Sequence, residues 1–197
     1  MRIVKLTEET TRDILVNMLK RSPSQYGAYE DTVKDILEDV KTRGDEAVFA
    51  YTEKFDHAKL TPDNVRVSEA EIEDAYHEVD EDLIAVIRKA LLNIRAYHEK
   101  QRRTSWFDTQ ENGTLLGQKV TPLAVAGVYV PGGKAAYPSS VLMNIVPAKV
   151  AGVKKIIMTT PCGADGRVNP VVLAAAREAG VDEIYKIGGA QAIAAMA

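Results

Sequence analysis

The sequence contains one cysteine, Cys162, among 197 residues, so no internal disulfide framework can form. That scarcity fits a reducing, cytoplasmic setting. Histidine is also sparse: His57, His77 and His98 are scattered, and no Cys, His, Asp or Glu cluster has metal-ligand spacing. The net charge is only −3, without the clustered Lys and Arg that phosphate backbones require, which argues against nucleic acid as the main partner. The basic pair Arg102-Arg103, near Trp106, reads as a solvated helix end. Apolar runs are short and interrupted, so no membrane span is expected. The first nine residues lack an apolar h-region, so no signal peptide is expected. No G-x-G-x-x-G occurs, so the standard dinucleotide fingerprint is missing. What remains is an ordinary apolar content, enough for a core, in a length that suits one domain or two small ones.

The first hundred-odd residues read as helices. Residues 6–20 form a short one, with Thr7 as N-cap and Leu15, Met18 and Leu19 on one face; a break follows at 22–27. So short and peripheral a helix must dock on something, either its own domain or a partner subunit. A second helix, 31–43, repeats Val33, Ile36, Leu37 and Val40 at helical spacing and ends at Gly44. Asp45 is placed to cap a third, 46–55, after which His57 reads as a surface or capping residue. Thr61-Pro62-Asp63-Asn64 is a turn. Ser68 and Glu71 form a capping box that opens a helix to about residue 77. The longest helix runs from Asp80 to about Arg103, with Leu83, Ile84, Ile87, Leu91, Ile94 and Tyr97 as its apolar stripe. His77 and His98 sit on separate helices. The many carboxylates of this region read as solvated helix faces.

After Trp106 the texture changes. Glu111-Asn112-Gly113-Thr114 is a turn of hairpin type, and 115–120 reads as a strand. From 123 the chain repeats strand, loop, helix: strands at 123–130, 155–160 and 183–187, helices at 139–151, 169–179 and from 190 onward. Gly152 and Gly180 stand where a helix C′ glycine belongs. Repeats of roughly 30 residues built this way form βαβ units on a parallel sheet. Three loops then share the carboxyl edge, where open α/β sheets bind ligands. They are Pro131-Gly132-Gly133, Pro161-Cys162-Gly163-Ala164-Asp165-Gly166 and Gly188-Gly189. The two glycines after Pro131 let backbone approach a ligand closely, and the helix N-termini beyond the loops offer an anion seat. Lys134, Ser139 and Ser140 flank the first turn; either serine serves equally as a helix N-cap. On these residues alone the ligand is a small anionic or polar molecule. Cys162 lies on the same edge, where a thiolate would suit thiohemiacetal chemistry on an aldehyde, but no histidine stands near it in sequence and nothing marks a lowered pKa.

Two strings carry a resemblance. Tyr129-Val130-Pro131-Gly132-Gly133-Lys134-Ala135-Ala136-Tyr137-Pro138-Ser139-Ser140-Val141-Leu142-Met143 resembles a signature of histidinol dehydrogenases, and Ile187-Gly188-Gly189-Ala190-Gln191-Ala192-Ile193-Ala194-Ala195 resembles a second, in family order and at about the family's spacing. Residues 113–118 also fit. Ala124-Val125-Ala126 departs from the family, which usually has a charged residue, often Arg, before the glycine. The resemblance implies an α/β fold: a helical N-terminal segment, then a parallel-sheet, Rossmann-like domain, incomplete and aldehyde-dehydrogenase-like. It implies an arm over 1–25, a helical part of a first domain over 26–121 and a βαβ NAD-contacting domain over 122–197. Tyr129, Gln191, Pro131, Gly132 and Gly133 would be cofactor-binding, and Cys162 would not be a nucleophile.

The resemblance further implies a two-step oxidation of L-histidinol to L-histidine through the aldehyde, the last steps of histidine synthesis. Two NAD are reduced in sequence, a zinc ion holds the substrate and a Glu-His pair does the acid–base work, in a homodimer. The catalytic pair and zinc ligands of the family fall beyond Ala197, so no catalytic and no metal-binding residue is expected in this chain, which reads as a truncated piece. Competing readings are a nucleotide-binding module without chemistry and another NAD-dependent aldehyde oxidoreductase in which Cys162 matters.

Overall fold

A computed structural model describes residue 5 and residues 7–12, 27–132 and 135–197. The expected first helix is described only over 8–12, where the Thr7 hydroxyl accepts from Thr10 N at 3.2 Å, as an N-cap does. Its remainder, the 22–26 break, Gly133 and Lys134 lie outside the described residues.

The helical segment starts at α1 (Gly27–Arg43), four residues before its expected start. Of its predicted stripe only Ile36 and Val40 are buried; Val33 and Leu37 are exposed. Gly44 closes α1 through Gly44 N to Val40 O at 2.8 Å, and its φ of +60° suits glycine. Asp45 does not cap the next helix; it is the first residue of α2 (Asp45–Asp56), with Gly44 at the N-cap. His57 takes the C-cap with φ +59°. The Ser68–Glu71 capping box forms, and α3 (Glu69–Glu78) follows it. Asp80 caps α4 (Glu81–Glu99), which ends short of Arg103; Ile84 and Ile87 are buried, whereas Leu83 and Tyr97 are exposed.

The hairpin has a first strand not singled out in the sequence, β1 (Trp106–Thr109), paired antiparallel with β2 (Leu115–Gln118). Gly113, at φ +82°, turns the chain between them. Every residue of both strands is exposed.

The parallel sheet consists of β3 (Val125–Tyr129), β4 (Lys155–Thr159) and β5 (Glu183–Tyr185) in that spatial order. The connecting helices are α5 (Pro138–Ala151) and α6 (Pro170–Ala179), and α7 (Gly189–Met196) follows β5. Gly152 and Gly180 end α5 and α6 at φ +87° and +78°. Tyr129 pairs with Thr159 and Thr159 with Tyr185, so all three strands stop together and their loops leave one edge. Side chains alternate across the sheet. Ile156 and Met158 are fully buried on one face. Gly127, Ile157, Thr159 and Tyr185 face a cavity of about 510 Å³ that α2 and the end of α7 close.

One buried cluster runs from Ile36 and Val48 through Ile87 to Val130, Ile145, Ile156 and Ala192, joining the helical segment to the sheet. Polar ties reinforce it. Glu71, Glu73 and Glu78 of α3 pair with Lys186, Arg177 and Arg167, and Glu178 of α6 pairs with Arg88 at 2.9 Å. The α3 carboxylates stay largely on a solvated face, as read from sequence, with Glu71 half-buried, but three of them also pair across to the sheet layer.

Candidate active-edge site

The three loops meet on Pro161, the second residue after the β4 end. A Cβ added to Gly132 would lie 2.9 Å from Pro161 Cγ, and one added to Gly188 would lie 2.7 Å from Pro161 Cβ. Both glycines are thus dictated by close approach rather than by φ. Gly189 has φ +65°, a backbone that a β-carbon strains. Pro161 acts as a wedge that sets the distance between the first and third loops. Its position after an apolar strand was visible in the sequence; its contact with two glycines was not.

Tyr129 stands half-buried at the end of β3, and its Oη accepts from Gly189 N at 3.3 Å. That bond links the first strand end directly to the turn before α7. Gln191 sits in the first turn of α7 and is 1 % exposed. Neither Oε1 nor Nε2 has a hydrogen-bond partner among the described residues. The side chain folds back over its own turn: a Cβ on Gly189 would meet Oε1 at 2.5 Å. The N-cap of α7 is Gly188, which makes no side-chain cap bond, so beyond the Gly189 N–H taken by Tyr129 the first N–H groups of the helix lie at the same edge as the amide.

The structure therefore brings Tyr129, Gly189 and Gln191 together and places Gly132 against the same wedge as Gly188. Pro131 is exposed at the rim. Gly133 is outside the described residues. Ser139 and Ser140 are not caps: α5 begins at Pro138 with Tyr137 at the N-cap, and both serines lie in the first turn. A cavity of about 230 Å³ lies between the first and second loops, lined by Gly132, Pro161, Cys162 and Asn169.

Cys162 is buried, and its Sγ lies 3.6 Å from the Lys186 carbonyl, to which the thiol donates. Burial pushes the thiol above the ordinary range, and the nearby Asp56 carboxylate adds to the shift. A thiol held in its neutral form and engaged as a donor is poorly suited to nucleophilic attack. Asp56 itself is raised by burial, against the pull of His57, and its Oδ2 is buried without a partner among the described residues. Sequence reasoning passed over Asp56, which lies at the last turn of a helix with nothing to mark it. It also passed over Lys186, a lone charge between Tyr185 and Ile187.

Among the described residues, no three His, Cys, Asp or Glu side chains come together where they could hold a metal ion. No helix among them is long and apolar enough to cross a membrane.

Comparison with known proteins places these loops in context. A family model described as histidinol dehydrogenase matches residues 19–197. The histidinol dehydrogenase of Heliobacterium mobile is 60% identical over 165 residues, 84% of this chain and 39% of that protein. That of Bacillus subtilis is 58% identical over 166 residues, 84% of this chain and 38% of its own length. That of Carboxydothermus hydrogenoformans is 56% identical over 186 residues, 94% of this chain and 44% of its own length. The crystal structure of histidinol dehydrogenase from Elizabethkingia anophelis superposes with a TM-score of 0.78 at 38% identity, over 85% of this chain and 38% of that one. The chain thus spans about two fifths of the length of these relatives. The paired glycine loops and the Gln191 turn fall within the matched residues, and the chain belongs to the histidinol dehydrogenase family.

Proposed function

We propose that this chain supplies the NAD-contacting part of a histidinol dehydrogenase, the enzyme that oxidises L-histidinol to L-histidine through the aldehyde. The observation that carries the reading is the buried Gln191 amide, both of whose polar atoms are unpaired among the described residues. An amide in that state costs free energy unless a ligand completes it. It offers an NH2 with two donor hydrogens and a carbonyl acceptor beside the N–H groups of α7, a pairing that suits the polar and anionic parts of a dinucleotide. Tyr129 presents a phenol at the same turn, Gly132 packs against Pro161 on the same edge, and Pro131, Gly132 and Gly133 would complete the cofactor contacts. NAD, when bound, accepts hydride from the carbinol carbon.

Among the described residues, no cluster of side chains fits a zinc site. In this reading the metal and the acid–base pair come from the remainder of the family's length. Residues 122–197 form a Rossmann-like half-domain of the aldehyde-dehydrogenase type. Residues 26–121 are the helical part of a first domain, and residues 1–25 an arm. The assembly in this reading is a cytoplasmic homodimer; the exposed apolar residues of the hairpin support a further covering surface. Cysteine-based aldehyde chemistry is disfavoured by the buried, neutral Cys162 thiol.

Absorbance of reduced nicotinamide tests the reading. The chain, given L-histidinol, NAD and zinc, should form no NADH. A chain extended to the full length of its relatives should form it, and Gln191→Ala there should raise the KM for NAD. Turnover by the 197 residues alone would overturn the assignment of chemistry elsewhere.

A further inference from the structure

Among the described residues, Lys186 is the only charged side chain in the buried set, at 6 % exposure. Its ammonium pairs with Glu71 Oε1 across 115 residues of sequence. The other Glu71 oxygen accepts from Ser68 N at 2.9 Å and from Ser68 Oγ at 3.0 Å, so one carboxylate closes the α3 capping box and binds Lys186. The Lys186 backbone is held as well. Its N–H donates to Val65 O at 2.8 Å, and its carbonyl accepts from Cys162 Sγ. Ile187, Gly188, Gly189 and Gln191 come directly after it. The turn that carries Gln191 thus leaves from a residue gripped by α3, by the 65–67 segment and by the second loop.

The pair is half-buried, Lys186 inside and Glu71 at the rim, and such an ion pair is a poor source of net stability, since desolvation opposes the Coulombic gain. What it supplies that an apolar pair does not is a fixed direction. We propose that Lys186, held by Glu71, is the positioning residue of the Gly188–Gly189–Gln191 turn, fixing the amide and the Tyr129–Gly189 bond at the edge where the cofactor binds. This rests on the reading of Gln191 as a cofactor contact, but the geometry is testable without any cofactor.

The test compares Lys186→Met, Glu71→Gln and Lys186→Arg with the parent chain. Met keeps the buried stem volume, and Gln keeps the bond to Ser68, so the fold is retained. Backbone amides of residues 188–192 should exchange with solvent roughly tenfold faster in Lys186→Met and Glu71→Gln, with α5 and α6 unchanged, and Lys186→Arg should restore protection. NAD affinity, measured on the same samples, should fall and recover in parallel. Unchanged exchange at 188–192, or faster exchange spread evenly over the chain, would overturn the positioning role. Local loosening with unaltered NAD affinity would uphold it and count instead against Gln191 as a cofactor contact.

Discussion

At the residue scale, Gln191 sets stability against binding. Its amide is fully buried and neither atom is paired among the described residues, a state that carries a desolvation cost of about 1–3 kcal/mol until a partner completes it. Replacing it with methionine, of similar length and volume, removes both unpaired atoms. Gln191→Met should raise the free energy of urea unfolding by about 1 kcal/mol or more while abolishing NAD binding. A variant that is destabilised would show that a bond to the amide already exists in the unliganded chain. Nothing in the sequence distinguishes this glutamine from a capping or solvent-facing one in the first turn of a helix. Its state follows from how α7 seats against the sheet, which no local pattern encodes.

At the element scale, the carboxyl edge is organised by Pro161 standing between Gly132 and Gly188. Adding a methyl to Gly188 forces it to within 2.7 Å of Pro161 Cβ, and the backbone there has no flexible neighbour to yield. Gly188→Ala should therefore lower stability by about 1–3 kcal/mol, the range of overpacked cores, and shift the Tyr129–Gly189 bond. Thermal or urea unfolding with nuclear magnetic resonance of the Gly189 amide would check both; a neutral substitution would mean that the wedge is not tight.

This scale also shows what was readable in advance. The Ser68–Glu71 capping box and the glycines ending α5 and α6 are local signals, and the structure has each of them. The parallel sheet follows from strand–helix alternation with short connections, because βαβ units leave few alternatives. Strand β1 escaped notice because Trp106–Thr109 is four residues long and exposed on all of them, so it lacks a burial pattern. Half of the α1 stripe misled for the converse reason: helical spacing places Val33 and Leu37 on one side, but only Ile36 and Val40 meet the core. Lys186 with Glu71, and Arg177 with Glu73, join residues more than a hundred positions apart, where charge patterning along one helix is silent.

At the scale of the whole molecule, ion pairs fasten the helical segment to the sheet layer, and they make stability pH-dependent. Arg88 is the foremost influence holding Glu178 below the usual carboxylate range, against burial and with help from the Tyr76 hydroxyl at 2.5 Å. For Glu71 burial is the largest influence and acts upward, but hydrogen bonds from Lys186 and Ser68 outweigh it, and the net shift is downward. Both depressed values give stability that is present above the unfolded glutamate pKa, about 4.3, and lost as pH falls through the folded values. Asp56, raised by burial, acts in the opposite sense: its contribution is present at low pH and lost as pH rises through its folded value. Urea unfolding at a series of pH values should show stability falling on acidification below about pH 4.5, with a shallower fall in Glu178→Gln; equal acid limbs in the two proteins would exclude Glu178 as a contributor. The measurement that bears most directly on the central claim is a titration of the chain with NAD, followed through the side-chain amide resonances of Gln191. A saturable shift of both Gln191 amide protons and of the Gly189 N–H is expected, with no Gly189 shift in Gln191→Met. Saturable binding that leaves those resonances unmoved, or that survives in Gln191→Met with the same affinity, would contradict it.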